Sequence, residues 1–385
     1  MHGVVSHLIA KKNKIRIYSS IKLLYITPTK ISKNMKNINH IYLLFISLLI
    51  SCTNKGKYEN ALTFSSADFG DPIQLTSEII EFDEPVMFPG KILLVDSILL
   101  IGNLKTEHLL YRYNIFTKKK TGEYISFGSG PDELLRIKDI QKIDSSIFIS
   151  DNQKRVVFEY NTYDLCYNKD PRLIKSTTIN EAVNSLQRIP GGYVCTTMNP
   201  LNRRFIFFNS EGDSIYSEGQ FPSHGEEINK IEIVNSYINQ MAVNSHLQYI
   251  YIFHMQTDLI EIYNFKGEFI KRLHGPDHFF PHIKEKQLEG GFSRISPIYG
   301  EAREAYYSPI VVDNEVYVLY SGAFREKKPA PLNMILVFSA EGNPLRKYIL
   351  SEPIITFTID PISKDIYATS EIPDYHIVKF KNKIK

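Results

Sequence analysis

The 385-residue chain has no tryptophan, so a sugar-stacking platform would have to be built from its 24 tyrosines. With 20 Gly and 19 Pro there is neither a collagen-like nor a low-complexity bias. Apart from one ten-residue stretch near the amino end, no segment approaches the roughly 20 apolar residues that a membrane-spanning helix needs. The sequence also lacks the compact signatures of catalysis: no HExxH, no Cys-x-x-Cys, no nucleophile elbow and no close Ser/His/Asp arrangement. Gly128-Ser129-Gly130 has neither the further glycine of a dinucleotide loop nor a following Lys-Ser/Thr, so it reads as a turn, and no cofactor is expected. Acidic residues are missing altogether from positions 1–51, which hold eight of the 45 Lys and Arg. The remainder therefore carries 37 basic against 42 acidic residues, a net of −5, and an acidic body disfavours nucleic acid as a partner.

What is present is globular: 43% hydrophobic and 23% charged side chains, with 47 Tyr and Phe that favour strands over long helices. Self-similarity then organises the chain. Six short β-rich runs recur at Ile98–Ile101, Ile147–Ser150, Tyr193–Thr196, Tyr249–Ile252, Val316–Leu319 and Ile366–Thr369, at intervals of 49, 46, 56, 67 and 50 residues. Each is followed by a second run that ends in an aromatic residue and, usually, a turn; in three of them a glycine follows, at Gly212, Gly267 and Gly342, where a tight hairpin needs positive φ.

Six units of about 50 residues built from short strands predict an all-β fold, a six-bladed β-propeller of four-stranded antiparallel blades. The last unit has room for three strands only, while Ile73–Phe82 is a spare strand ahead of the first unit. The amino-terminal strand is therefore expected to complete the last blade and close the ring over residues 71–385.

Met35-Lys36, the apolar run Ile41–Ile50 and then Ser51-Cys52 have the order of a secretory signal. Leu49-Ile50-Ser51-Cys52 resembles the lipobox of bacterial lipoproteins. That resemblance implies cleavage before Cys52 and acylation of that cysteine, which would anchor the protein to a membrane without a spanning helix. Residues 35–51 are then the signal peptide, 52–70 a polar tether and 1–34 an upstream extension ahead of the true initiator, Met35. Lys55-Gly56-Lys57 lacks the acidic run that directs some lipoproteins to the cell surface, so the expected address is the cell envelope, at the outer membrane facing the periplasm.

Two patches carry a resemblance to known propellers. Ser150-Asp151-Asn152-Gln153-Lys154-Arg155-Val156-Val157-Phe158 resembles the hairpin of NHL-type repeats. Phe127-Gly128-Ser129-Gly130-Pro131-Asp132-Glu133-Leu134 resembles the Gly-x-Gly-Pro-x-Glu-Phe turn of TolB-like six-bladed propeller lipoproteins, with Leu134 in place of the aromatic; His274-Gly275-Pro276-Asp277-His278-Phe279 is a degenerate copy. The resemblance implies a fold and an anchored location, and supplies no catalytic residues.

The candidate ligand contacts are Asp151, Arg155, His274, Asp277 and His278. Asp151 and Arg155 can pair across their hairpin, either aiming side chains at the channel mouth or forming a structural ion pair, and the latter is favoured. His274, His278 and His282 recur every fourth residue around Asp277, a spacing that could ligate zinc, but Gly275-Pro276 and Pro281 break any aligning helix, so a polar loop is expected and no metal is assigned. Cys166 and Cys195 could form a disulfide in an oxidising compartment or remain two buried thiols. The longest interval contains an insert, Pro276–Tyr306, that is a candidate recognition loop. The expected function is a binding or protein-interaction module for a small-molecule or protein ligand; the alternative is a propeller enzyme, a hydrolase or lyase acting on a sugar or peptide in the channel.

Overall fold

A computed structural model describes residues 56–199, 203–225, 228, 230–287, 293–326 and 330–382. The upstream extension, the signal segment, Cys52 and Phe292 lie outside the described residues.

The amino-terminal stretch carries three short strands, β1 (Ala61–Thr63), β2 (Ile73–Leu75) and β3 (Ser77–Ile80), with a 3-10 turn at Ser66–Phe69. Blade 1 follows with β4 (Pro89–Val95), β5 (Ile98–Asn103), β6 (His108–Asn114) and β7 (Lys119–Ser126). Blade 2 has β8 (Asp139–Ile143), β9 (Ser146–Asp151) and β10 (Val156–Asn161), the short helix α1 (Thr162–Tyr167), then β11 (Leu173–Thr178). Blade 3 is β12 (Val183–Ile189), β13 (Gly192–Thr197), β14 (Phe205–Asn209) and β15 (Ser214–Glu218). After α2 (Lys230–Ser236) comes blade 4, with β16 (Asn239–Asn244), β17 (Tyr249–His254), β18 (Leu259–Asn264) and β19 (Phe269–His274). A separate hairpin, β20 (Ile283–Gln287) and β21 (Ser293–Pro297), occupies the long insert. Blade 5 is β22 (Tyr306–Val312), β23 (Glu315–Tyr320), β24 (Met334–Ser339) and β25 (Pro344–Leu350). Blade 6 has β26 (Thr356–Ile359), β27 (Ile366–Ser370) and β28 (His376–Phe380).

The six recurrent runs are the second strands β5, β9, β13, β17, β23 and β27. Each lies mid-sheet with a neighbouring blade over each face, so both alternating faces are buried and the strand reads as an unbroken apolar run. Between successive blades lies one apolar core: Leu100 with Ile149 between blades 1 and 2, Phe148 with Ile206 between 2 and 3, and Phe207 with Ile252 between 3 and 4. Phe253 with Tyr306 joins blades 4 and 5, Leu319 with Phe357 joins 5 and 6, and Ile377 with Leu99 joins 6 and 1. The hairpin glycines adopt the expected backbone, φ being +87° at Gly212 and +79° at Gly267 and Gly342.

Closure is made by β3, which pairs antiparallel to β28 as the outer strand of blade 6 before the chain enters blade 1. The spare strand is in fact two. Its first half, β2, adds in parallel to the outer edge of blade 5 (Ile73 opposite Tyr348), and only the second half completes blade 6. The stretch 56–70, expected as a tether, is likewise folded. β1 adds in parallel to the edge of blade 4 (Ala61 opposite Arg272), and Tyr58, Phe64 and Phe69 are buried. Phe64 and Phe69 stack edge-on against Phe338, at 5.6 and 5.2 Å between ring centroids, and so extend the core between blades 4 and 5. Aromatic side chains separated by polar residues hid this role in the sequence, because an edge strand of three residues shows no periodicity.

Cys166 and Cys195 are buried, free thiols in different interblade cores. Burial pushes the Cys166 thiol up to about 11 and that of Cys195 higher still, so both behave as small apolar side chains.

A chain beginning at residue 71 is therefore expected to be destabilised, because it uncovers the edge of blade 4 and the core beside Phe338. Phe69→Ala alone should cost about 3–5 kcal/mol in denaturant unfolding; an unchanged midpoint would show that this segment does not hold blades 4 and 5 together.

Candidate binding site at the channel mouth

The innermost strand of every blade begins at the same end of the central channel, so the first residues of six strands converge there. Lys91, Asp139, Leu186, Gln240, Ser308 and Thr356 line a cavity of about 250 Å³ at this mouth. Arg136 and Lys138, from the connection leading into β8, line it too. Three cations thus face one carboxylate. Asp139 is already engaged: it lies 3.2 Å from the Lys91 ammonium and accepts a hydrogen bond from Gln187 Nε2 at 2.6 Å. Burial, reinforced by Arg136 and Lys91 and opposed by Asp139, lowers the pKa of the Lys138 ammonium. Farther along the channel lies a second cavity of about 350 Å³ of mixed lining, in which Ile92, Ile140 and Met241 stand beside Lys91, Asp139 and Lys142.

Among the described residues, a few buried polar atoms without a protein partner lie on or next to the strands that reach the mouth. Thr356 Oγ1 and Thr369 Oγ1 belong to residues paired across the ladder in blade 6. Ser150 Oγ belongs to the ladder partner of Asp139. Both amide atoms of Asn103 are unpaired, opposite Pro89 and next to Gly90 of the mouth. A buried hydroxyl or amide left unpaired costs on the order of 1–3 kcal/mol; of these residues Thr356 lines the mouth itself, where its hydroxyl is available to a polar ligand.

The Gly-x-Gly-Pro turn holds part of this site in place. Gly130 N–H donates to Glu133 Oε2 at 2.7 Å, so a carboxylate fills the space where a phosphate loop would need an anion, and Leu134 plugs the core between blades 1 and 2. Asp151 then fixes the two residues after Leu134. Its Oδ2 accepts the backbone N–H groups of Leu135 (2.7 Å) and Arg136 (3.0 Å), and its Oδ1 those of Gln153 and Lys154. Arg155 turns the hairpin at φ +59° and its side chain is exposed, so Asp151 is spent on backbone rather than on an ion pair with Arg155. Asp151 therefore acts on the mouth indirectly, by setting the position of Arg136.

The other candidates gather between blades 4 and 5. Asp258 receives the N–H groups of Asp277 (2.7 Å), His278 (2.7 Å) and Phe279 (2.9 Å), and lies 3.1 Å from His274 Nε2. Asp277 bonds Arg303 and the Tyr320 hydroxyl, while His282 pairs with Glu301 at 2.9 Å. His274 and His282 thus face different carboxylates, while the His278 ring lies 5.5 Å from that of His274, and among the described residues no three His, Cys, Asp or Glu side chains form a metal-binding group. None of Asp151, Arg155, His274, Asp277 and His278 lines the mouth cavity. The sequence reading missed Lys91, Arg136, Lys138 and Asp139; the available signal was their place just ahead of the recurrent runs, in or immediately before the first strands of units 1 and 2. In the insert, Phe280 packs near Tyr58 and Tyr306 lies in the core, which leaves Tyr299 exposed.

A second concentration of charge is wholly internal. Between blades 3 and 4, Glu261 accepts hydrogen bonds from Arg204, His254, Tyr263 and Arg272, and Arg272 also donates to the carbonyl of Glu59 in the amino-terminal stretch. Burial alone would raise the Glu261 carboxyl; the two guanidinium groups and His254 outweigh it and hold the carboxyl well below the usual range. Burial, together with Arg204, pushes the His254 imidazole down to about 4 against the pull of Glu261.

The fold and mouth define a class: a six-bladed β-propeller whose channel opens on a cation-rich end. The chain belongs to the TolB-like six-blade propeller family, whose model, described as TolB-like 6-blade propeller-like, matches residues 68–361. Among solved structures it is similar to a member of the DUF4221 family from Bacteroides vulgatus, with a TM-score of 0.54 and 10% identity over 80% of this chain and 96% of that one. A protein from Bacteroides fragilis gives 0.51 and 12% identity, over 85% of this chain and 99% of the other. Comparison with curated proteins found no match.

His254 predicts an acid sensitivity with a definite sign. The native imidazole stays neutral to about pH 4, whereas in the unfolded chain it takes up a proton near 6.5, so stability falls as the pH drops through that window. The loss amounts to about 3 kcal/mol. Thermal melts from pH 7 to 4 should show it, and His254→Gln should flatten the slope between pH 6.5 and 4.5; an unaltered slope would assign the effect elsewhere.

Proposed function

We propose that this chain is a lipid-anchored β-propeller of the bacterial cell envelope that acts as a ligand-binding module, taking a small anion at the channel mouth. The observation that carries the reading is the charge imbalance there: Lys91, Arg136 and Lys138 against one engaged carboxylate, in an open cavity on an otherwise acidic body. An anion would complete the cationic set with charge-assisted bonds and restore the favoured state of Lys138, while Thr356 Oγ1 offers a further polar contact. Acylation of Cys52 would hold the module at the outer membrane, facing the periplasm, and Tyr58 already belongs to the folded body only six residues later.

Two experiments test the halves of this reading. In cells, the protein should fractionate with membranes and incorporate labelled palmitate, and Cys52→Ser should abolish both; a membrane-bound, unlabelled protein would overturn the anchor. In calorimetry at low salt, the purified chain should bind inorganic phosphate or acetate saturably, and Lys138→Gln or Arg136→Gln should weaken binding at least about tenfold. Because an anion favours protonated Lys138, affinity should decline as the pH rises, before an ordinary lysine would titrate. Binding indifferent to both substitutions would refute the mouth as the site.

A further inference from the structure

Beside the mouth lies a larger, chemically different cavity. At about 570 Å³ it falls within the roughly 300–1,000 Å³ of small-molecule sites. It opens between blades 1, 5 and 6, and its walls include Phe88, Ile354, Ile372 and Tyr375. Its two charged lining residues, Lys105 and Glu371, are of opposite sign. Leu104 and Ile355 line both this cavity and the cationic mouth, so the two are adjoining parts of one surface.

The walls are built rather than incidental. Phe88 holds the left-handed backbone conformation, φ +44°, that a bulky side chain rarely adopts. Its carbonyl accepts the Leu104 N–H at 2.9 Å, and its ring lies 5.4 Å from that of Tyr375, so aromatic side chains from blades 1 and 6 meet at the cavity. Ile372, Tyr375 and Leu104 remain 54%, 37% and 39% exposed, which leaves apolar area in water beside a cluster of cations.

We infer that the ligand of this module is a small amphipathic monoanion, a carboxylate on an apolar chain or ring, whose charged end sits at Lys91, Arg136 and Lys138 and whose body fills the cavity between Phe88, Ile372 and Tyr375. The inference rests on the anion site proposed above and adds the apolar half. Charge complementarity fixes which end enters the mouth, because the larger cavity carries no excess charge of its own. Apolar burial supplies affinity in proportion to chain length, at about three- to fourfold per methylene.

Calorimetry of the full chain with phosphate, acetate, hexanoate, octanoate, decanoate and decanol tests it. Affinity should rise about three- to fourfold per methylene from hexanoate to decanoate. Lys138→Gln should weaken decanoate at least about tenfold but leave decanol unchanged. Ile372→Ser and Tyr375→Ala, neither of which lines the mouth, should flatten the chain-length dependence while phosphate and acetate bind as before; a thermal melt of each variant confirms that it folds. Affinity independent of chain length, with phosphate or acetate still bound, overturns the amphipathic ligand and leaves the anion site standing. Chain-length dependence that survives both substitutions places the body elsewhere and also overturns it. Equal binding of decanol and decanoate removes the charged end, and failure of every anion to bind removes the proposed site and this inference together.

Discussion

Ring closure is the constraint on which the rest of this structure depends. A blade is a small twisted sheet with two apolar faces, and neither can be buried by the blade itself; each needs a neighbour on either side. In an open row the two end blades would each expose a face. Here β3 ties blade 6 to the strand that begins blade 1, and the preceding residues bind the same ring farther back. β2 covers the edge of blade 5 and β1 the edge of blade 4. One stretch of about 25 residues therefore adds side chains to three successive interblade cores: Phe64 and Phe69 to the first, Leu75 to the second and Ile80 to the third. Parallel addition to outer edges also covers backbone groups that would otherwise offer a template to another chain.

The same geometry creates the mouth. Closing the ring brings six strand starts to one end of the channel, where side chains from blades far apart in sequence share a small volume. Burial there disfavours the charged ammonium of Lys138, and repulsion from Arg136 and Lys91 adds to it, so its pKa is lowered. Such a site is held open by the rigidity of its surroundings. Asp151 illustrates how: a buried carboxylate satisfied by four backbone N–H groups locks the connection that presents Arg136.

The knot around Glu261 uses charge for a different end. Arg204 enters from the loop before β14, His254 and Glu261 come from blade 4, and Arg272 reaches on to the carbonyl of Glu59. A fully buried carboxylate with that many donors fixes blade 3, blade 4 and the amino-terminal stretch in one register, because removing it would leave two guanidinium groups without a counter-charge in a low-dielectric interior.

Repeat number, strand order within each blade and ring closure were legible in the sequence, for a physical reason. A strand buried on both faces must be apolar throughout, and Ile98–Ile101 or Tyr249–Ile252 record that condition locally. Hairpin glycines such as Gly212 were legible too, since positive φ restricts residue choice at the turn itself. Other features depend on partners distant in the chain. β1 is three residues on the edge of a blade whose own strands begin about 180 positions later, so nothing in Ala61–Thr63 announces its pairing. The candidate contacts Asp151 and His274 stood out as charged or polar residues in turns, yet their partners are backbone N–H groups and Asp258. Lys91, Arg136 and Lys138 look like ordinary surface cations one by one. The sequence by itself determined which residues must be buried and how often the unit repeats, because burial and turn geometry act over a few positions. Only the tertiary structure decided which strand starts meet, since electrostatic excess and cavity shape are properties of side chains gathered from separate blades.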